Sequence, residues 1–381
     1  IILSLLSTLA LSSGMAQNKL PISMKQSEDF KSARRHLIMP PVEFKDKGIL
    51  QVNERGTRSM NFQWFSPDLK LKKEKTIDIE DRLSERANAP LFVKMADRCY
   101  LFVRDVYRDE EREGVSALAF DVDKLDFERK AKMLFKSSGQ VASAMNFSWT
   151  SFFGPRVSEP SKAGSFVDDD NQTFGPYRLA LSQNKKVAAF TYRMRPEHRS
   201  DRANNDVIGV QVFDEEMNKL WGGEMRMPYK EAYMKNLNYI VGNDGKVYML
   251  SMVGEGGYHL ELLMYSKDHP DPEKIEVKLD DVDPMTARVF ETEKGDLLLA
   301  GFYAKPHHHV TDGAFVLQVD RNQKTSSLRN GGLFEIPNEL IFENATRREK
   351  RQLNRAEKRD EEGDLGVSNL VVRNVYLMDD G

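Results

Sequence analysis

The residues of this sequence best suited to bind or transform something form one short run, Lys305-Pro-His-His-His-Val-Thr-Asp-Gly313. Neutral imidazole nitrogens are good ligands for zinc, copper or nickel, and a carboxylate completes such a set. Side chains alternate along an extended segment, so His307 and His309 share one side and His308 takes the other. His307 and His309 are therefore the candidate metal ligands, with Asp312 as a third. Their adjacency is not the spacing of an established zinc motif. The competing reading, a polar loop between two strands, asks less of the sequence.

Other chemistry finds little footing. Asp168-Asp-Asp-Asn171 and Asp280-Asp-Val-Asp283 lack the alternate oxygens and the turn glycine of a calcium loop, and read as surface turns. Gly254-Glu-Gly-Gly257 lies between two strand-like segments, where it makes a turn and not a nucleotide cradle. The chain has no Gly-x-Ser-x-Gly elbow, Walker loop or His-Glu-x-x-His. No catalytic residue is assigned and no cofactor is expected. Cys99, the single cysteine, opens an apolar run and reads as a buried structural thiol.

Composition bounds the class. Of 381 residues 40% are hydrophobic and 30% charged, enough apolar material for a sizeable core. Acidic and basic residues nearly cancel, 59 against 56, so no basic field is available to hold nucleic acid. The opening run Ile1 to Leu11 carries no charge and is followed by the small-x-small pattern Gly14-Met15-Ala16. It reads as a signal peptide over residues 1–16, truncated at its front, with cleavage before Gln17. A bilayer span needs about 20 apolar residues. The mature chain is expected to be exported and soluble, periplasmic or extracellular, with no transmembrane segment.

The elements that would position any site come from an internal repeat. Five segments share an alternating apolar strand, then an aromatic or β-branched residue, then Asp or Ser, then a polar turn. They are Phe62–Asp68, Ala117–Asp123, Val210–Glu216, Leu262–Asp268 and Val316–Asn322. Aligned on Phe65, Phe120, Phe213, Tyr265 and Val319 they are spaced by 55, 93, 52 and 54 residues. Each follows a second strand opened by a turn cluster such as Asp244-Gly245-Lys246. Flanking strands can be traced at Tyr177-Arg-Leu-Ala-Leu and Leu237-Asn-Tyr-Ile-Val.

Antiparallel units of this size cannot bury their faces alone and must stack. The repeat resembles that of β-propeller proteins, without a Trp-Asp or kelch signature. The resemblance implies an all-β fold of antiparallel blades over residues 45–381, about six or seven in the complete protein and unfinished at the C-terminus. Residues 17–44 form a lead-in.

Two insertions break the period. Residues 137–176 carry the aromatic cluster Phe147, Trp149, Phe152 and Phe153, read as the core of a degenerate blade rather than a binding lip. Residues 344–364 are a run rich in Arg, Lys, Glu and Asp, interrupted by Leu353 and Ala356, with oppositely charged residues three and four apart, which predicts a solvated helix. The function expected from all this is a non-enzymatic binding or scaffold module of the cell envelope, with a protein or glycan partner meeting the loops at one end of the propeller. The alternative is a glycan-active hydrolase or lyase drawing carboxylates from several blades. An enzyme would bring together Asp, Glu or His with shifted pKa values, whereas a binding module would present an aromatic or uniformly charged face.

Overall fold

The segments with two-residue alternation form strands, and the polar clusters between them form turns. The computed structural model describes residues 37–337 apart from 40, 56–58, 143–170, 199–201, 256–258, 280, 307 and 309–310, and beyond 337 only residues 343, 350, 351, 370, 372 and 375. The chain divides into two compact units, Ile1–Asp78 and Ile79–Gly381. The first holds one antiparallel sheet of β1 (Leu37–Ile38), β2 (Val42–Phe44), β3 (Gly48–Arg55), β4 (Ser59–Phe65) and β5 (Leu71–Asp78). The last residues of the expected lead-in thus supply β1 and β2, both paired to β3.

The second unit holds four more antiparallel sheets. Sheet 2 comprises β6 (Ala87–Met95), β7 (Arg98–Tyr107), β8 (Arg112–Asp121), β9 (Asp126–Phe127) and β10 (Lys132–Lys136). Sheet 3 comprises β11 (Asn171–Phe174), β12 (Tyr177–Leu181), β13 (Val187–Arg193), β14 (Val207–Asp214) and β15 (Lys219–Arg226). Sheet 4 comprises β16 (Met234–Val241), β17 (Val247–Val253), β18 (His259–Ser266) and β19 (His269–Glu276). Sheet 5 comprises β20 (Asp283–Glu291), β21 (Leu297–Ala304), β22 (Gly313–Asp320) and β23 (Thr325–Glu335). The fold is all-β, and its five sheets coincide with the five copies of the repeat.

Within the second unit consecutive sheets pack face to face. Leu250, Leu262 and Met264 of sheet 4 meet Val289, Leu299 and Phe315 of sheet 5 in one cluster. Val210 and Val212 of sheet 3 meet Tyr239, Met249 and Tyr265 of sheet 4 in another. Sheets 2 and 3 share a third, rich in aromatic rings. First strands lie beside first strands, β12 by β16 and β16 by β20, and last strands beside last strands, β15 by β19 and β19 by β23. This is the packing of propeller blades. It explains the burial gradient: every residue of β17 is buried, because a middle strand is covered on both faces. The outermost strands are charged and exposed, as in Leu71-Lys-Lys-Glu-Lys of β5, and lysine on an edge discourages further strand pairing.

The repeated motif ends one strand of each sheet, β4, β8, β14, β18 or β22. In sheets 2, 3 and 5 its Asp caps the turn into the next strand. Asp214 Oδ1 accepts from the backbone N–H of Glu216 at 2.9 Å and of Asn218 at 2.8 Å. Asp320 does the same for Asn322 and Gln323, and Asp121 for Lys124. The turn then passes through a left-handed residue, Leu69, Leu125, Met217 or Lys324. Replacing Asp214 by alanine leaves two turn amides without their acceptor, and is expected to lower stability to urea by about 1 kcal/mol.

Close packing also explains two glycines inside strands. Gly209 lies opposite Tyr192, and a Cβ there would come 2.1 Å from the Tyr192 ring. Gly301 lies opposite Phe315, whose ring would stand 2.4 Å from an added Cβ. Each aromatic ring lies across the glycine facing it, which makes up for the side chain missing there.

Of the charged segment 344–364 only Lys350 and Arg351 are described, so the expected helix lies outside the described residues. Phe147, Trp149, Phe152 and Phe153 also lie outside them. The end of that first insertion, Asn171–Phe174, forms β11, which pairs with β12.

Candidate functional site

The candidate metal ligands His307 and His309 lie outside the described residues. Their neighbour His308 is described, and its Nδ1 lies 2.9 Å from both carboxylate oxygens of Asp312. Asp312 Oδ2 also accepts from the Lys305 backbone N–H at 2.6 Å. Asp312 is thus the internal clasp of the loop between β21 and β22, holding both its start and its imidazole. Among the described residues no three His, Cys, Asp or Glu side chains stand together as a metal set. Cys99 is buried, and burial pushes its thiol up to about 12, so it stays protonated and inert.

A different set comes together on the first strands of sheets 3, 4 and 5. Arg178 pairs across its sheet with Thr191, Asn238 with Leu250 and Arg288 with Ala300. Counted from the turn that ends each first strand, these are one and the same register position. Asn238 locks two of the strands together: its Nδ2 donates to the Val289 carbonyl at 3.3 Å and its Oδ1 accepts from the Val289 N–H at 3.2 Å. That pair of bonds sets β16 against β20 at the residue next to Arg288.

Nearer the start of the strands the pattern recurs. Lys235 pairs with Met252 and Thr286 with Phe302, again one register position. Thr286 is buried, and its Oγ1 has no hydrogen-bond partner. Both first strands carry a bulge here, between Asn236 and Asn238 and between Pro284 and Thr286. Bulges re-aim side chains at the ends of strands.

The electrostatics of this row are cationic. Burial lowers the Lys235 ammonium to about 8. Burial also lowers Arg178, to about 10; the Tyr239 phenol beside it acts the other way, and Arg288 adds to the lowering by like-charge repulsion. Tyr239 is itself held protonated well above the usual phenol range, chiefly by burial. Strands β12 and β16 carry no carboxylate, and those of β20 stand at its two ends. Asp283 is exposed, whereas Glu291 is engaged by Arg321 at 3.0 Å and by the Asn243 N–H at 2.9 Å.

The carboxylates of the second unit that are well covered serve structure. Glu291 is held above the usual carboxylate range by burial, in a chain of bonds linking the turns of three sheets. In that chain the Asn184 N–H donates to Asn243 at 3.0 Å, and Arg321 ties Glu291 to the Gly295 carbonyl. Asp105 is buried between the hydroxyls of Ser84 and Ser116, each at 2.5 Å. Arg193 is gripped by Asp206 at 2.7 Å and by Glu231.

The sequence marked none of Arg178, Lys235, Asn238 or Arg288 as a site. For Arg178 a signal was present all the same: it interrupts an otherwise apolar strand, Tyr-Arg-Leu-Ala-Leu.

Topology and packing define an all-β repeat protein of β-propeller type. No protein-family model matches the chain, and no curated protein does. Among solved structures it is similar to a thermostable family-43 glycoside hydrolase, at 12% identity over 79% of this chain and 95% of that one, with a TM-score of 0.31. It is similar to the β-propeller domain of the Trilobed protease from Pyrococcus furiosus, at 10% identity over 81% and 73%, TM-score 0.36. A third is the α-L-arabinanase of Penicillium chrysogenum, at 13% identity over 83% and 86%, TM-score 0.37.

Proposed function

We propose that this chain is an exported, non-enzymatic binding module of the cell envelope, its five described sheets belonging to a propeller of six or seven blades. One observation carries the binding reading. At the matching positions Arg178, Asn238 and Arg288, and Lys235 and Thr286, of three successive first strands the side chains are guanidinium, ammonium, amide and hydroxyl groups, and the carboxylates of those strands, Asp283 and Glu291, stand at the ends of β20. Acid–base chemistry on a glycan needs a pair of carboxylates across one bond. A binder needs no such pair. Export is read from the apolar run Ile1–Leu11 and the Gly14-Met15-Ala16 pattern.

The test is to hold the purified mature protein with immobilised envelope polysaccharide and envelope protein, and to follow retention and product release in parallel. Saturable retention with no reducing sugar and no peptide released is expected. Release of either, at any rate above that of a heat-denatured sample, would overturn the binding reading in favour of a hydrolase or lyase.

A further inference from the structure

We infer that the face of sheet 5 turned away from sheet 4 is the docking surface for residues 367–378 of this same chain, which lie on it as the first strand of a sixth sheet. This deepens the propeller part of the reading above and rests on it.

The face is apolar. Along β21, Leu297, Leu299 and Tyr303 pack with sheet 4, so the alternate residues Leu298, Ala300 and Phe302 point the other way. Counted from the turn that opens the strand, these three hold the places of Tyr248, Leu250 and Met252 in sheet 4, and those pack against sheet 5. By register, then, this is the face on which a following sheet belongs. Thr286 is buried opposite Phe302 on the same face, and its Oγ1 finds no hydrogen-bond partner among the described residues. The main chain of a docked strand supplies one.

How far the burial reaches sets the width of the occupant. On sheet 4 the face toward sheet 5 is buried through the fourth strand, with Leu262 of β18 at 0% and Ile275 of β19 at 1% exposure. On sheet 5 the burial stops after the second strand. Leu298 is 2% and Ala300 6% exposed, but Val316 of β22, opposite Ala300, is only half-buried. Phe334 of β23, opposite Ala314 on this face, is 51% exposed. A whole sheet would cover all four strands, whereas one strand lying beside β20 covers the inner two.

The sequence supplies such a strand. Asp380-Gly381 matches Asp244-Gly245 in the turn after β16, and Gly295 in the turn after β20. Counting back from it puts Val375 at the place of Tyr239 and Val289, each of which faces the preceding sheet. Asn374 falls at the place of Asn238. Leu370, Val372 and Val375, the described residues of the segment, are half-buried. The level follows as well. Asn238 pairs with Leu250 and bonds Val289, so Val289 stands level with Leu250. Val375 therefore stands level with Ala300.

The test is the reactivity of a thiol placed beneath the strand. Ala300→Cys adds a small side chain at the covered position, and the natural Cys99 is buried. In the full chain the thiol of Ala300→Cys is expected to label slowly with a maleimide, at a rate independent of protein concentration. Val375→Asp, which sets a carboxylate against the apolar face, should speed labelling at least tenfold. Leu220→Asp on β15, where Leu220 is 41% exposed, should leave it unchanged. Cys99 reports global unfolding; should it label too, Val375→Ala takes the place of Val375→Asp, with a severalfold rise expected. A rate that neither change at 375 moves, or that Leu220→Asp moves as much, overturns the docking. So does a rate that falls as protein concentration rises, which puts a second copy on the face instead. Faster labelling with Val375→Asp in a protein that releases product from envelope material supports the docking and overturns the non-enzymatic reading. Unmoved labelling in a protein retained without release does the reverse.

Discussion

Replacing Phe135 by alanine is expected to cost about 3–5 kcal/mol, a large share of the 5–15 kcal/mol that holds a typical domain folded. Phe135 is buried in β10 of sheet 2, but its ring neighbours belong to sheet 3. It stacks on Tyr192 with ring centres 5.5 Å apart and planes within 6°. It meets Tyr177 at 5.8 Å, Phe190 at 5.7 Å and Phe213 at 6.3 Å. Truncation removes the apolar surface of one ring, forfeits its contacts with four others, and leaves a cavity these rigid rings cannot close. Met133 on the same strand is 43% exposed, so Met133→Ala should change stability by less than about 0.5 kcal/mol. Urea unfolding of the two variants reads the difference. Equal midpoints would show that the sheet 2–sheet 3 junction does not rest on this ring.

Replacing Lys235 by methionine should make the protein more stable at neutral pH. The sign follows from burial. The ammonium ionises at about 8 in the folded chain against an ordinary 10.5, so folding disfavours its charge. At pH 7 lysine is protonated in both states, and the folded state bears the whole penalty. As pH rises from 8 to 10.5 the folded chain releases a proton that the unfolded chain keeps, so wild-type stability climbs through that window and then levels. The gap sets a ceiling of about 3 kcal/mol, and the partial exposure of the side chain reduces it to roughly 1–2 kcal/mol. Lys235→Met should therefore unfold at higher urea than wild type at pH 7, with the advantage gone by about pH 10.5. Parallel curves across that range would show that Lys235 is solvated.

The repeat was legible because its signal is local. An aromatic or β-branched residue followed by Asp or Ser marks a strand end and its turn within five residues, and the pattern recurs in all five sheets. Cys99 was legible for a similar reason, since it opens an apolar run. The row of cations was not. Arg178, Asn238 and Arg288 are separated by 60 and 50 residues, and only the register of three sheets shows that they are equivalent. Their identity at one position also varies between arginine and asparagine, so no string pattern links them. His307 and His309 drew attention by adjacency, a local property. In His308, the structure shows the same run spending an imidazole on closing its own loop.

The order of strands has a kinetic consequence. In sheets 4 and 5 every hydrogen-bonded neighbour is also the next strand in the chain. Each pairing closes a short loop, at small entropic cost, before any distant segment is needed. The sheets of the second unit can therefore assemble one after another in the order in which the chain becomes available, each completed sheet offering an apolar face to the next. For a chain emerging from the ribosome, that order of assembly shortens the time any one hydrophobic face stands bare.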